Sequence, residues 1–187
     1  MDRLMGVILC GGNSRRMGQD KGLMTKGGVP WARYMADKLK PFDVPVVFSV
    51  NVSQVEAYSL QLPDARLVVD EVAVPGPLGG LLSVHTQFPD KDLLLLACDM
   101  IDMDATTIGR LVEAYLSGGV YAFFAYQEGE FFQPFCAIYT CGGLAAPHTA
   151  ALEGSLEVIS LQLLLRRGKT KILDIQHIED FRNYNTL

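Results

Sequence analysis

Short apolar runs recur along the first 120 residues, and each is followed by a segment whose apolar side chains lie three or four positions apart. The apolar runs predict buried β-strands, and they cover residues 4–8, 46–50, 67–69 and 92–98. The spaced segments predict helices, and they cover residues 30–40, 55–60, 81–88 and 104–118. Residues 74–80 are too rich in proline and glycine for regular structure. Alternation of strands and helices favours a parallel sheet with helices on both faces.

The pattern changes after Gly119. Composition predicts three late strands, over residues 120–126, 131–139 and 171–175. The first two flank a turn at 127–130 and form a β-hairpin, and a helix is expected within residues 156–168. No repeat, low-complexity tract or linker divides the chain, so we expect a single domain over residues 1–187. The predicted fold is a Rossmann-like, three-layer α/β/α arrangement, with a mostly parallel twisted sheet and the hairpin near one edge.

Composition excludes several function classes. A hydrophobic content of 49% with 20% charged residues is typical of a globular protein. The net charge of −5 predicts no diffuse attraction to nucleic acid or to anionic lipid, so an anionic ligand needs a local cationic pocket. No apolar run approaches the ~20 residues of a membrane span, and the first run is too short for a signal peptide. The four cysteines include no Cys-x-x-Cys pair, which predicts a reduced, cytoplasmic protein without a zinc site or disulfide framework.

Candidate chemistry begins directly after the first strand, where glycines are followed by cationic side chains. Gly11 and Gly12 lack a Cβ, so the backbone can adopt positive φ and its N–H groups can approach a bulky anion. Arg15, Arg16 and Lys21 add cationic donors. The spacing matches neither a Walker A loop nor the dinucleotide fingerprint Gly-x-Gly-x-x-Gly. The segment therefore predicts a phosphate-binding loop of another kind, with a solvated turn as the alternative.

Polar residues also follow three other predicted strands, at Asn51, Asp70 and Asp99. In an open parallel sheet, ligands bind at the carboxyl ends of the strands, near the point where the strand order reverses. Polar side chains are common at such ends, so each of these residues alone is equally compatible with a structural role. Asp99 follows the most apolar strand, and its carboxylate is the best candidate to hold Mg²⁺ between nucleotide phosphates.

The stretch from Leu9 to Gly22 also carries a family resemblance. Its pattern Gly-Gly-x-Ser-x-Arg-Met-Gly-x-Asp-Lys resembles the signature of the nucleotidyltransferase superfamily with a dinucleotide-binding-like fold. The Leu-x-Gly-Gly form most resembles the molybdenum cofactor guanylyltransferases, which join GMP from GTP to molybdopterin and release pyrophosphate. The resemblance implies GTP and molybdopterin as substrates, Mg²⁺ as cofactor, and molybdoenzymes or other cofactor-biosynthesis proteins as partners.

The resemblance also implies roles for individual residues. Arg16 and Lys21 would hold the triphosphate, Asp99 would bind the metal, and these three would carry catalysis. Asp70 matches the aspartate that the family uses near guanine. The residues implied in GTP binding are Leu9, Cys10, Gly11, Gly12, Ser14, Arg16, Gly18, Lys21, Asn51, Asp70, Pro77, Leu78 and Asp99. The chain departs from the family at Met100-Ile101, where x-Pro is expected, and at Ser49, where a second Asn is expected.

Two further segments resemble the acceptor side of the family. Gln133-Pro134-Phe135 resembles a strand that lies under the pterin site, and the segment 183–186 resembles an Asn-x-Asn-Thr-Pro motif. The implied acceptor-binding residues are Gln133, Pro134, Asn183 and Asn185.

Other functions remain open at the level of sequence. One is a molybdopterin cytidylyltransferase, or a nucleotidyltransferase acting on sugar or polyol phosphates. Cytidylyl relatives usually read Leu-Ala-Ala-Gly where this chain reads Leu-Cys-Gly-Gly, which favours guanine. The other is a non-catalytic nucleotide-binding or cofactor-binding partner. Metal-dependent release of pyrophosphate separates an enzyme from such a module.

Overall fold

The computed structural model describes residues 2–11, 20–157 and 160–184. Its strands are β1 (Leu4–Leu9), β2 (Thr25–Lys26), β3 (Val29–Pro30), β4 (Val46–Val50), β5 (Leu67–Val69), β6 (Asp92–Ala97), β7 (Phe123–Glu128), β8 (Phe131–Tyr139) and β9 (Thr170–Asp174). Its helices are α1 (Trp31–Asp37), α2 (Val55–Gln61), α3 (Pro77–Gln87), α4 (Ala105–Leu116), α5 (Cys141–Leu152) and α6 (Leu161–Arg167). Within the described ranges, none of these helices is both long and apolar enough to cross a membrane.

A seven-stranded sheet in the order β5-β4-β1-β6-β8-β7-β9 forms the centre of the described structure. Strands β5, β4, β1 and β6 are parallel. Strand β8 is antiparallel to β6 and β7, and β9 is parallel to β7. Leu9 pairs with Ser49 on one side and with Ala97 on the other. The carboxyl ends of the parallel strands therefore lie together, and the strand order reverses at β1.

Apolar side chains cover both faces of the sheet. One cluster joins the sheet to α1 and α4 through residues such as Met35 and Leu111. The second cluster joins the other face to α3 through residues such as Leu81. Side chains of β6 alternate between the two clusters, with Leu94 in the first and Leu95 in the second, and the whole strand is buried. The predicted three-layer α/β/α fold, with a mostly parallel sheet and a hairpin near one edge, is confirmed.

Helix α3 begins at Pro77, earlier than the predicted start at residue 81. Proline is compatible with the first turn of a helix because its missing N–H would have no partner there. Gly76 precedes it with φ of 74°, a left-handed conformation that glycine adopts without strain. Gly79 and Gly80 lie within this helix. A side chain is disfavoured at both positions, because a Cβ at Gly79 would lie 2.2 Å from the Val74 carbonyl oxygen and one at Gly80 would lie 2.6 Å from Ser49 Oγ.

Helix α5 is not predicted by the hydrophobic pattern. Its sequence contains two glycines and Pro147, and only Leu144 among its residues is fully buried. Hydrogen bonds to its first residues stabilise the start of this helix. Thr140 caps the helix by accepting a hydrogen bond from the Gly143 N–H at 3.0 Å, and Asp92 Oδ1 accepts from the Cys141 N–H at 2.8 Å. The following helix, α6, begins at Leu161, later than predicted.

Candidate active site

Two cavities that share Leu9, Gly11 and Pro77 open at the carboxyl ends of the parallel strands. The Asp99 cavity has a volume of about 250 Å³, and its wall also includes Cys10, Lys21, Ala97, Cys98, Asp99, Phe135 and Asn183. The Asp70 cavity has a volume of about 360 Å³, and its wall also includes Asn51, Asp70, Val72, Val74, Gly76, Gly79 and Gly80. The site therefore lies where an open α/β sheet is expected to bind its ligand.

An ion pair lies on the wall of the Asp99 cavity. The Nζ of Lys21 is 2.8 Å from Oδ2 of Asp99. The Lys21 side chain is 18% exposed and that of Asp99 is 14% exposed, so both charges are largely shielded from solvent. Lys21 opens a short 3₁₀ helix after the glycine-rich segment, and Asp99 follows β6. Because this pair is shielded, salt screens it less than an exposed pair.

The chain near its C-terminus lies against the turn that follows β6. The Tyr184 N–H donates to the Asp99 carbonyl at 3.1 Å, and the Tyr184 hydroxyl donates to the Asp102 carboxylate. The ring of Tyr184 packs edge-on against Trp31. These contacts place Asn183 on the wall of the Asp99 cavity.

The Asp70 cavity contains a second carboxylate that two glycines enclose. The Ser49 hydroxyl donates to Asp70 Oδ1 at 2.7 Å. A Cβ at Gly11 would lie 2.4 Å from Asp70 Oδ2, and one at Gly80 would lie 3.1 Å from Asp70 Oδ1. Burial raises the pKa of Asp70 above its usual range, and the hydrogen bond from Ser49 offsets part of that rise. Neither position tolerates a side chain without moving this carboxylate.

We expect Gly80→Ala to lower the free energy of unfolding by about 1–3 kcal/mol, as overpacking commonly does. The added methyl would lie 2.6 Å from Ser49 Oγ and 2.9 Å from Leu9 Cδ1. Gly142→Ala is the matched control, because it lies in a helix and its Cβ would meet no atom within 4 Å. Urea unfolding measures the free energy of unfolding of both variants. Equal stability of Gly80→Ala and Gly142→Ala would contradict the close approach.

Asn51 lies at the end of β4 and caps the turn that follows. Its Oδ1 accepts hydrogen bonds from the Ser53 N–H at 3.0 Å and from the Ser53 hydroxyl at 2.6 Å. Its own N–H donates to Oε1 of Gln54 at 2.8 Å. The reciprocal pattern is a capping box, which fixes the direction of the chain from β4 into α2.

Three polar residues near the cavities receive no role in the sequence analysis, although Asp20 belongs to the quoted motif. Asp20 accepts hydrogen bonds from the Gly22 N–H, from the Tyr58 hydroxyl and from the Gln54 amide. The signal for Gln54 is present in the sequence, since Asn51 and Gln54 have the spacing of a capping box. Nothing in the sequence indicates that the same amide also reaches Asp20.

Strand β8 is irregular where it passes the Asp99 cavity. Its register with β7 shifts between Ala125 and Gln127, and the irregular stretch includes Pro134. The Tyr139 hydroxyl donates to the Pro134 carbonyl at 2.9 Å. Such irregularities re-aim side chains next to active sites. Here Phe135 becomes part of the cavity wall.

Most of the predicted site residues that the structure describes lie around these cavities. Those lining one or both are Leu9, Cys10, Gly11, Lys21, Asn51, Asp70, Pro77, Asp99 and Asn183. Three others line neither: Leu78, which is fully buried in the core, and Gln133 and Pro134. Gly12, Ser14, Arg16, Gly18 and Asn185 lie outside the described residues, as does Arg15.

The donor set of the Asp99 cavity limits which metals it could hold. Among the described residues, no group of three or more His, Cys, Asp or Glu side chains is arranged to bind a metal ion. Asp99 instead offers a single carboxylate close to a cation. A set of this kind suits a hard cation that brings water and ligand phosphates as its other ligands.

Carboxylates and a lysine at the switch point of a mostly parallel sheet are typical of the ligand site of an open α/β protein. Comparison with protein families identifies the family within this class. The model of the MobA-like NTP transferase domain matches residues 6–169. The chain therefore belongs to this family and is a nucleotidyltransferase.

Relatives share the sequence over different lengths. A probable molybdenum cofactor guanylyltransferase from Pelotomaculum thermopropionicum is 31% identical over 97% of this chain and 87% of its own length. A molybdenum cofactor guanylyltransferase from Serratia proteamaculans is 27% identical over 92% of this chain and 78% of its own length. A molybdenum cofactor biosynthesis bifunctional protein from Synechocystis is 31% identical over 73% of this chain. The match spans 39% of that bifunctional protein.

Solved structures agree on the fold. Molybdopterin-guanine dinucleotide biosynthesis protein A from Archaeoglobus fulgidus has a TM-score of 0.77 at 20% identity, over 97% of this chain and 92% of its own. The 4-diphosphocytidyl-2C-methyl-D-erythritol synthase from Anaerococcus prevotii has a TM-score of 0.70 at 11% identity, over 98% and 90%. At these identities the likeness shows a shared fold.

Proposed function

We propose that the protein transfers GMP from GTP to the terminal phosphate of molybdopterin and releases pyrophosphate. The observation that carries this proposal is the Lys21–Asp99 ion pair next to the Asp70 cavity. It occurs in a chain that is 31% identical, over nearly its whole length, to a probable molybdenum cofactor guanylyltransferase. The family membership supports nucleotidyl transfer, and the two cavities support separate places for the phosphates and for the nucleoside.

The reaction would be an in-line attack of the acceptor phosphate on the α-phosphorus of GTP. The O–P bond to the acceptor forms as the bond to pyrophosphate breaks, and pyrophosphate leaves with the electron pair. Both reactants are anions, so catalysis consists of neutralising charge and aligning the two groups. Lys21 would hold the triphosphate together with Arg16, and the lack of a Cβ at Gly11 would let backbone N–H groups approach it.

Asp99 would hold Mg²⁺ through its carboxylate, with water and nucleotide phosphates as the other ligands. The bound ion supplies positive charge that offsets the charge of the reacting phosphates. Before nucleotide binds, Lys21 neutralises Asp99. With the triphosphate bound, Lys21 would pair with a phosphate and Asp99 would hold the cation, so both shielded charges would remain compensated.

Asp70 would recognise guanine. A carboxylate accepts hydrogen bonds from the N1–H and N2–H₂ groups of guanine, and cytosine lacks this donor pair. Ser49 donates to Oδ1, while Oδ2 faces the α-carbon of Gly11. Asn51 lies on the same cavity wall and extends the polar surface available to the nucleoside.

On the acceptor side, we propose that Asn183 and Asn185 bind molybdopterin, with Gln133 and Pro134 supporting the wall from β8. Asn183 and Phe135 on the wall of the Asp99 cavity support this placement. We also propose that residues 1–187 act as one domain. A cytoplasmic location is supported by the four cysteines, which are all free thiols. Protein partners would be molybdoenzymes or other proteins of cofactor biosynthesis.

Asp70→Asn tests the guanine assignment. We expect it to weaken GTP binding by about tenfold or more, because a charge-assisted hydrogen bond is worth ~1.5–3 kcal/mol. Binding of CTP, ATP and UTP should change little, and the exposed variant Asp64→Asn should match the wild type. Calorimetry with each nucleotide, with and without Mg²⁺, measures these affinities.

The preference for GTP should also depend on pH. Because the pKa of Asp70 is raised, this carboxylate becomes protonated at a higher pH than an exposed one. The preference for GTP should therefore be lost at a higher pH than it would be with an exposed carboxylate.

Other outcomes of the same titration decide against the proposal. A wild-type preference for CTP would indicate a cytidylyltransferase. Absence of binding to any nucleotide would indicate a non-catalytic partner. Where GTP is preferred, a pyrophosphate-release assay with molybdopterin then tests the transfer itself.

A further inference from the structure

A polar cluster formed by Asp20, Gln54 and Tyr58 lies beside the turn that carries Lys21, and Gln54 and Tyr58 are buried. We propose that Gln54 and Tyr58 are positioning residues for Lys21. They act through Asp20, and they couple the placement of this lysine to the end of β4 at Asn51. This inference rests on the proposed function only for its kinetic consequence, because the cluster and its effect on the chain can be measured without substrate.

The Gln54 amide joins three segments that are distant in sequence. Its Nε2 donates to Asp20 Oδ2 at 2.5 Å and to the Cys10 carbonyl at 3.0 Å, and its Oε1 accepts from the Asn51 N–H at 2.8 Å. Cys10 stands at the end of β1, Asn51 at the end of β4, and Asp20 directly before Lys21. One side chain therefore fixes both strand ends relative to the lysine.

Tyr58 completes the anchor from α2. Its hydroxyl donates to Asp20 Oδ1 at 2.9 Å, and the same oxygen accepts from the Gly22 N–H at 3.0 Å. The tyrosine is fully buried, and burial raises the pKa of its hydroxyl far above the usual range. The hydroxyl therefore stays protonated and remains a donor throughout the physiological pH range. The Asp20 carboxylate is held on both oxygens, since Gln54 occupies the other one.

Gly22 shows how closely the turn is seated on Tyr58. A Cβ at Gly22 would lie 2.0 Å from the Tyr58 hydroxyl oxygen and 3.1 Å from Cζ. The φ of Gly22 is not in the left-handed region, so this close approach is what disfavours a side chain here. The turn that begins at Lys21 therefore rests directly against the hydroxyl that holds Asp20.

The consequence falls on the Lys21–Asp99 contact of 2.8 Å. Lys21 has a long, flexible side chain, so its effectiveness as a point charge depends on where its backbone is held. Misplacement of a charged group by about 1 Å can cost up to ~10²-fold in rate. Loss of the cluster should lower kcat more than it raises KM for GTP, because the lysine acts on charge that develops during transfer.

Tyr58→Phe and Gln54→Met test the proposal, with Tyr126→Phe as the matched control. Tyr126 is also fully buried, and its hydroxyl donates to the Thr107 carbonyl, away from both cavities. We expect kcat to fall by about tenfold or more in the two cluster variants and by less than twofold in the control. Trypsin should cleave the Lys21–Gly22 bond faster in the cluster variants without substrate, while cleavage after Lys169 stays at the wild-type rate.

Several results would overturn the proposal. These are unchanged kcat and unchanged Lys21–Gly22 cleavage, equal effects in Tyr126→Phe, or faster cleavage at both bonds, which would indicate general destabilisation. If the wild type itself releases no pyrophosphate from GTP and molybdopterin, the proposed function fails. Cleavage of the Lys21–Gly22 bond still decides the positioning role in that case.

A double-mutant cycle adds an independent readout. Gly22→Ala should displace the Tyr58 hydroxyl and raise trypsin cleavage after Lys21 as Tyr58→Phe does. Once Tyr58→Phe has removed that oxygen, Gly22→Ala should add less than twofold to cleavage after Lys21, because the 2.0 Å conflict is gone and the nearest remaining atom is Cζ at 3.1 Å. If the two substitutions raised cleavage after Lys21 additively, Gly22 and Tyr58 would act independently and the proposal would be contradicted.

Discussion

Lys21→Ala should lower the rate of guanylyl transfer by ~10²-fold or more, the usual cost of losing one contact to a transition state. The lysine lies 2.8 Å from Asp99 on the cavity wall, where its charge is largely shielded from solvent. In the proposed reaction it offsets charge on the departing pyrophosphate. Removing it also leaves the Asp99 carboxylate without this cation. Initial rates of pyrophosphate release at saturating GTP measure the effect.

Lys26→Ala is the control for a general loss of positive charge. Lys26 lies 3.6 Å from Asp102, and its side chain is 45% exposed. Exposed pairs of this kind contribute ~0–1 kcal/mol, so Lys26→Ala should retain nearly the wild-type rate. Turnover at the wild-type rate in Lys21→Ala would refute the assigned role of Lys21.

Asp99→Ala is the second large expected effect, again ~10²-fold or more in rate. It removes the carboxylate that would hold Mg²⁺, so the dependence of the residual rate on Mg²⁺ should shift to much higher concentrations. Asp99→Asn should lose nearly as much, because an amide keeps the size of the side chain but is a poor ligand for this cation. Titration of activity with Mg²⁺ separates metal binding from a change in shape.

Asp37→Asn serves as the matched control, since Asp37 is the last residue of α1 and pairs with the exposed Lys40 that follows it. It should retain the wild-type rate and the wild-type Mg²⁺ dependence. An active Asp99→Asn variant with unchanged Mg²⁺ dependence would show that the metal is held elsewhere.

The parallel half of the sheet follows from local sequence. Each of its strands is a short apolar run, and strand β6 is buried on both faces, as an uninterrupted run predicts. The α4 boundary is also local, because Asp104 caps the helix through the Thr106 N–H at 2.6 Å. By contrast, the existence of α5 depends on contacts from a distant segment, since Asp92 accepts a hydrogen bond from the Cys141 N–H. The local sequence predicts interruptions of helical structure at Pro77, at Gly79 and at the glycines of α5.

The sequence by itself determined which chemistry meets at the site. Asn51, Asp70 and Asp99 each follow a strand, and parallel pairing brings such ends to one edge whatever the loops between them do. Lys21 was assigned to the same site because it belongs to the glycine-rich segment that follows β1. Only neighbours in the chain were needed for this inference.

The tertiary structure alone decided how these groups are held. Phe135 lies on the wall of the Asp99 cavity where the register between β8 and β7 shifts, whereas the predicted Gln133 and Pro134 do not line it. Gln54 and Tyr58 reach Asp20 across more than 30 residues of sequence, with a separation of 34 for Gln54. Periodicity reports which face of a helix is buried. It does not report which distant polar atom a buried hydroxyl or amide meets, because that depends on how separate segments pack together.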